Sequence, residues 1–167
     1  MSTEPHYAMG PPKPRWTHLA LRVKSIEESI AWYEANTPLR LLSRNEDQYG
    51  VGAWLADPQD VTHPFVLALS QFDPETDPFA YAPATVLGPY AHIGIELLSR
   101  EAVDRAAARA KAEGALTLSP TDMPPPIGYI CFVEDPDGNT IQFSYDQGTY
   151  AVINEKWGEE ASKDAAT

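Results

Sequence analysis

The chain repeats itself. His18 and His92 stand 74 residues apart, and so do Ser25 and Ser99. The order aromatic, small, His, aliphatic, small, aliphatic occurs twice, as WTHLAL at 16–21 and YAHIGI at 90–95. The same offset sets Leu67-Ala68-Leu69-Ser70 against Ile141-Gln142-Phe143-Ser144. Agreement that runs through strand, helix cap, helix and last strand marks a duplicated supersecondary unit. The chain is thereby confined to folds built from two like halves.

Each half reads as βαβββ. Residues 16–23 alternate and are rich in aliphatic side chains, which predicts a strand. Ser25-Ile26-Glu27-Glu28 has the form of a capping box, with a serine cap and a glutamate three residues on. The helix it opens puts Ile26, Ile30 and Tyr33 on one face and stops before Pro38. Strands are predicted at 39–43, 49–56 and 65–72. The second half follows the same order, with a strand at 90–97 and a helix over REAVDRAAARAKAEG that closes at Gly114. Its remaining strands are predicted at 115–118, 127–133 and 140–145. The expected fold is α+β: two tandem βαβββ modules forming a cupped, barrel-like mixed sheet with helices outside. A flexible arm at 1–14, modules at 15–72 and 90–146, a proline-laden connector at 73–89 and a tail at 147–167 complete the plan. The tail has the composition for a short helix.

The formal net charge of −12 argues against a nucleic acid or an anionic membrane as partner, since both require cationic surface. No apolar run approaches the length of a membrane span, and the first residues lack the apolar stretch of a signal peptide. The single cysteine, Cys131, permits no intrachain disulfide and fits a reducing, cytoplasmic setting. Its apolar neighbours suggest a buried, inert thiol. A glycine-rich phosphate loop and a nucleophile elbow are both missing.

Strand alternation places His18, Ala20 and Arg22 on one face, and His92, Gly94 and Glu96 on the equivalent face of the second module. Gln142 and Ser144 share a face of the last strand, with Ala68 and Ser70 as counterparts. If pseudo-twofold symmetry joins the modules, His18, Ala68, His92 and Gln142 form a ring. Two imidazoles and an amide oxygen can hold a divalent cation, more weakly than a set that includes a carboxylate. The plainer alternative is a pair of hydrogen-bonded structural histidines. Arg22 and Glu96 either pair with each other or line the cavity, Arg22 gripping a substrate carboxylate and Glu96 serving as base. Tyr129 is a second acid-base candidate, and Trp54 is one of several aromatics that would wall a cavity or fill the core. His6 and His63 receive no role.

Three stretches, WTHLALRVKSIEESIAWYEA, YAHIGIEL and FVEDPDGNTIQF, resemble the vicinal oxygen chelate superfamily. It includes glyoxalase I, extradiol dioxygenases and bleomycin-resistance proteins. The resemblance covers about residues 15–146. It implies metal ligands on the first and last strand of each module, here His18, Ala68, His92 and Gln142. Gln142 replaces the usual glutamate, and Ala68 cannot ligate. Those departures disfavour glyoxalase I chemistry, with its four ligands, and extradiol chemistry, which needs the glutamate. Two functions follow from the resemblance. The leading one is a small-molecule enzyme, lyase- or dioxygenase-like, that chelates substrate oxygens at Fe, Mn, Zn or Ni held by His18, His92 and Gln142. The candidate catalytic residues are Glu96 and Tyr129, which could also serve as acid or base in the same cavity without a metal, and the candidate substrate-binding residues are Arg22, Ser144 and Trp54. The alternative is a metal-free protein that sequesters an apolar or aromatic small molecule. A homodimer is expected by analogy.

Overall fold

The computed structural model describes residues 16–60, 65–82, 84–88 and 90–164, with side chains as far as 157. The predicted arm, His6 and His63 lie outside the described residues. The first half runs β1 (His18–Arg22), α1 (Ile26–Asn36), β2 (Arg40–Asp47), β3 (Gly50–Ala56) and β4 (Val66–Phe72). The second repeats it as β5 (His92–Glu96), α2 (Arg100–Ala112), β6 (Leu116–Met123), β7 (Gly128–Glu134) and β8 (Thr140–Tyr145). A third helix, α3 (Thr149–Asp164), follows.

The fold is α+β, with two four-stranded mixed sheets ordered β1-β4-β3-β2 and β5-β8-β7-β6. In each, the first strand lies parallel to the last, and the other pairs are antiparallel. The duplication extends to register: Leu19 sits opposite Leu67 and Ala20 opposite Ala68, as Ile93 sits opposite Ile141 and Gly94 opposite Gln142. Among the described residues both β1 and β5 are therefore sheet edges, each bonded along one side only.

The duplicated serines cap their helices. Ser25 accepts from the Glu28 amide at 3.3 Å and Ser99 from the Ala102 amide at 3.2 Å. Each satisfies a first-turn N–H that the helix itself cannot pair. Ser99→Ala is expected to cost about 1 kcal/mol, read as a lower urea midpoint with an unchanged slope. Strand β6 runs to Met123, well beyond the expected end at 118, although it contains Pro120. It lies at the edge of its sheet, where a missing ladder N–H is tolerated, and its register shifts between Leu118 and Thr121. Strand β2 likewise outruns its predicted end as a fully exposed, charged edge.

The core gathers Leu21, Val23, Ile30 and Tyr33 from the first half with Val103, Ile141 and Phe143 from the second. Helix α2 buries three alanines beside Val103, so a small-residue stripe lets it lie close to β7 and β8. No helix among the described residues is long and apolar enough to cross a membrane.

What joins the modules is the turn 135–139. The Asp135 carboxylate, 5% exposed, accepts from the amides of Asp137 and Asn139 at 2.9 and 2.8 Å. It also accepts from the Asn139 side chain at 3.0 Å and from the Tyr33 hydroxyl of α1 at 2.8 Å. Asp137 accepts from the Lys24 amide at 3.0 Å and from the Ser29 hydroxyl at 3.4 Å. Gly138 closes the turn at a φ of 90°, a conformation that favours glycine. A local turn of the second module is thus welded to the first helix of the other.

Candidate functional site

Each sheet packs one face on its helix and turns the other outward. In the first sheet, Leu21, Leu55, Leu67 and Leu69 point into the core, leaving His18, Ala20, Ala68 and Trp54 on the outer face. Trp54 lies opposite Ala68 and is half exposed. His18 is exposed, with its Nδ1 2.9 Å from the Thr17 hydroxyl.

In the second sheet the equivalent face carries His92, Gln142 and Phe132. His92 Nδ1 lies 2.9 Å from the Tyr90 carbonyl oxygen. A ring nitrogen facing a carbonyl must be the N–H donor, so in the neutral tautomer that makes this contact Nε2 is the nitrogen with the lone pair. The imidazole leans on Phe132 with ring centres 5.5 Å apart, and Tyr90 meets it edge-on at 5.6 Å. Gln142 is 6% exposed and lies opposite Gly94 and Phe132 in the ladder, diagonal to His92. No described residue hydrogen-bonds its amide, and no side-chain polar atom buried away from solvent lacks a partner. Gln142 therefore presents its amide toward the outer face.

The four residues of the expected ring are divided between the two sheets. His18 and Ala68 belong to one sheet and His92 and Gln142 to the other, and β1 and β5 are not bonded to each other. The modules are joined instead through α1 and the turn 135–139. Among the described residues, no group of three or more His, Cys, Asp or Glu is placed to hold a metal ion. With only an amide to add to one imidazole on each chain's second face, the donors within one chain do not fit a divalent cation.

The chain matches the model of the Glyoxalase/Bleomycin resistance protein/Dioxygenase superfamily over residues 15–143. It belongs to that superfamily. It is 38% identical over 135 residues to the uncharacterized protein PA2024 of Pseudomonas aeruginosa, covering 80% of this chain and 90% of that one. Glyoxalase I of Leishmania major shares the fold at a TM-score of 0.55 and 20% identity, with 90% of this chain and 99% of that chain covered. TnmS3, an antibiotic binding protein from Streptomyces sp. CB03234, does so at 0.54 and 20% identity, with 81% and 98% covered. An enzyme and a binding protein resemble this superfamily member about equally, so the fold does not choose between them.

The remaining candidates are spread over the molecule. Arg22 does not meet Glu96. Its guanidinium grips Asp77 of the connector at 2.6 and 3.1 Å, reaches the Phe79 carbonyl and lies over the Phe72 ring. That bond to Arg22 holds the Asp77 carboxyl below its usual range, and it occupies the fork a substrate carboxylate would need. Glu96 accepts from the Gln147 amide at 2.9 Å, at the start of the tail. Ser144 is fully buried, with its hydroxyl between the Ile95 carbonyl and Gln147. Tyr129 sits on the opposite side of its sheet from His92. Its hydroxyl donates to Asp104 of α2 at 2.7 Å, a bond that raises its pKa, and Arg100 stacks on its ring at 3.7 Å. Burial pushes the Cys131 thiol up to about 11, which keeps it protonated and inert at neutral pH.

Sequence reasoning missed two participants. Phe132 shares strand parity with Ile130 and stands beside the histidine face, a relation available once β7 is paired with β8. Asp77, the partner of Arg22, had no signal, because a loop residue 55 positions away obeys no strand or helix period.

Proposed function

We propose that this superfamily member binds a planar, largely apolar small molecule without a metal, in a site that two copies of the chain complete. The outer face of one copy's first sheet, with His18 and Trp54, would meet the other copy's His92 and Gln142. The observation that carries this reading is the position of both histidines on outward faces of strands with an unpaired edge. Trp16 and Tyr90, equivalent residues of the repeat, stand just before those two strands and are 88% and 93% exposed. Exposed edges flanked by large aromatics are characteristic of surfaces covered by another chain. Docking β1 of one copy along β5 of another would cover both.

The chemistry available there is neutral. Trp54 offers a flat ring, His92 Nε2 a hydrogen-bond acceptor, and Gln142 both an acceptor and a donor. Ala68 adds space and no charge. Such a surface favours stacking of an aromatic ligand oriented by a few hydrogen bonds. The antibiotic binding protein TnmS3 indicates that this fold accommodates a binding role.

One observation favours the metal-dependent enzyme as the second reading. A histidine whose Nδ1–H is fixed on a carbonyl, as in His92, is oriented as ligating imidazoles are. Dialysis against EDTA, followed by titration with Zn(II), Fe(II), Mn(II) and Ni(II), separates the two. The expected result is no stoichiometric binding at micromolar metal, and planar aromatics that quench Trp54 fluorescence equally with and without EDTA. One metal per site, lost in His18→Ala, would instead establish the second reading.

A further inference from the structure

A pocket of about 190 Å³ lies on the outer face of the first sheet, at the end held by the connector. Asn45, Gly52 and Ser70 line it as one row across β2, β3 and β4, with Asn45 opposite Gly52 and Gly52 opposite Ser70. Gly52 stands two residues from Trp54 and Ser70 two from Ala68, so the row shares their face. Phe72, Pro78 and Phe79 close the other side. Arg22 fixes that side in place through Asp77 and the Phe79 carbonyl, and Phe79 meets Phe72 edge-on at 5.5 Å.

The duplication provides an internal comparison. In the second module Ile130 takes the place of Gly52, opposite Ser144, the repeat mate of Ser70. Ile130 and Ser144 are 3% and 0% exposed, so that row is filled. Gly52 and Ser70 stay half buried. The first module is open where the second is packed, and a missing aliphatic side chain is the difference. A β-carbon added at Gly52 would come within 2.6 Å of the Asn45 side-chain oxygen, so the Asn45 amide lies over the glycine. No described residue hydrogen-bonds the Asn45 amide or the Ser70 hydroxyl, and neither is cut off from solvent.

We propose that the ligand of the shared site carries a short uncharged arm, of the primary carboxamide class, that enters this pocket. The inference rests on the reading of that site as one for a planar molecule beside Trp54. Whole-ligand pockets start at about 300 Å³, whereas this one has room for about six waters, which suits an arm of a few heavy atoms. A carboxamide donates and accepts, and so can pair with both the Asn45 amide and the Ser70 hydroxyl. A carboxylate arm would meet Asp47 and no lysine or arginine in the lining, since Arg22, opposite Ser70, is already paired with Asp77. An ammonium arm could not accept from the Asn45 N–H groups, and Asp47 already accepts from the Tyr49 amide at 2.8 Å.

Calorimetric titration of the full chain with 2-methylnaphthalene, 2-naphthylacetamide, 2-naphthylacetate and 2-naphthylethylamine is the test. The acetamide should bind about tenfold more tightly than 2-methylnaphthalene, the size of one to two net hydrogen bonds, while the acetate and the amine gain nothing. Gly52→Val should erase that advantage by filling the pocket, as Ile130 does in the second module, and leave 2-methylnaphthalene binding unchanged. Ser70→Ala, which removes one partner without adding volume, should reduce the advantage to about threefold. His18→Ala should weaken the acetamide and 2-methylnaphthalene in parallel, because it acts on the shared site and not on the arm. Binding of 2-methylnaphthalene with no gain from the acetamide, an equal gain from the acetate or the amine, or an undiminished preference in either folded variant would overturn the arm and leave the shared site standing. Absence of binding by all four would overturn both.

Discussion

Replacing Asp135 with alanine should cost about 4 kcal/mol and lower the melting temperature by about 10 °C. The carboxylate accepts four hydrogen bonds, from two turn amides, the Asn139 side chain and the Tyr33 hydroxyl. Removing it leaves all four donors without their acceptor in a buried place. Each unpaired buried group costs about 1–3 kcal/mol, and partial rescue by water keeps the total below a simple sum. Asp135→Asn, which retains one oxygen, should fall between alanine and wild type. The hydroxyl contact has its own signature. Burial, and then the charges of Asp135 and Asp137, raise the Tyr33 pKa above its ordinary value of 10. The folded state therefore keeps a proton that the unfolded chain releases in alkali. Its contribution is complete below pH 10 and declines as pH rises beyond it. Urea midpoints at about pH 8 and about pH 11 should differ more in wild type than in Tyr33→Phe.

The same turn shows how much of the molecule was legible in advance. Strand, cap, helix and last strand recur at one offset, so local pattern placed both modules and both helix caps. Alternation also put His18 with Ala20, and His92 with Gly94, on the correct faces. It could not state which faces meet, because that depends on contacts between residues far apart in the chain. The pairing of Tyr33 with Asp135 spans 102 positions, and it joins the modules at a place other than β1 and β5. The ring of His18, Ala68, His92 and Gln142 depends on such a meeting of faces, which no local period encodes. Arg22 was expected to meet Glu96 or a substrate carboxylate, because its partner Asp77 lies in a proline-rich loop that no period ties to β1. Tyr129 stands three residues before Phe132 on β7, so alternation turns it to the α2 side, where Arg100 stacks on its ring. Where one period governs, the sequence speaks; where two distant segments meet, it does not.

The second large effect concerns the histidines. His18→Ala and His92→Ala should each fold normally, since neither ring is part of the core cluster. Each should lose ligand binding by about tenfold or more, because every shared site needs both rings. In a symmetric dimer, one site takes His18 from one copy and His92 from the other, and its twin takes the reverse. A heterodimer of the two variants would place both substitutions in one site and leave the other intact.

That arrangement provides the decisive measurement. The two variants, carrying different affinity tags, are mixed, allowed to exchange and purified as heterodimers. They are then titrated with the tightest-binding planar aromatic found by Trp54 quenching. If two copies complete each site, neither variant binds alone and the heterodimer binds with wild-type affinity at about half the wild-type stoichiometry. A chain that stays monomeric while binding, or a heterodimer that recovers nothing from two folded variants, would contradict the shared site.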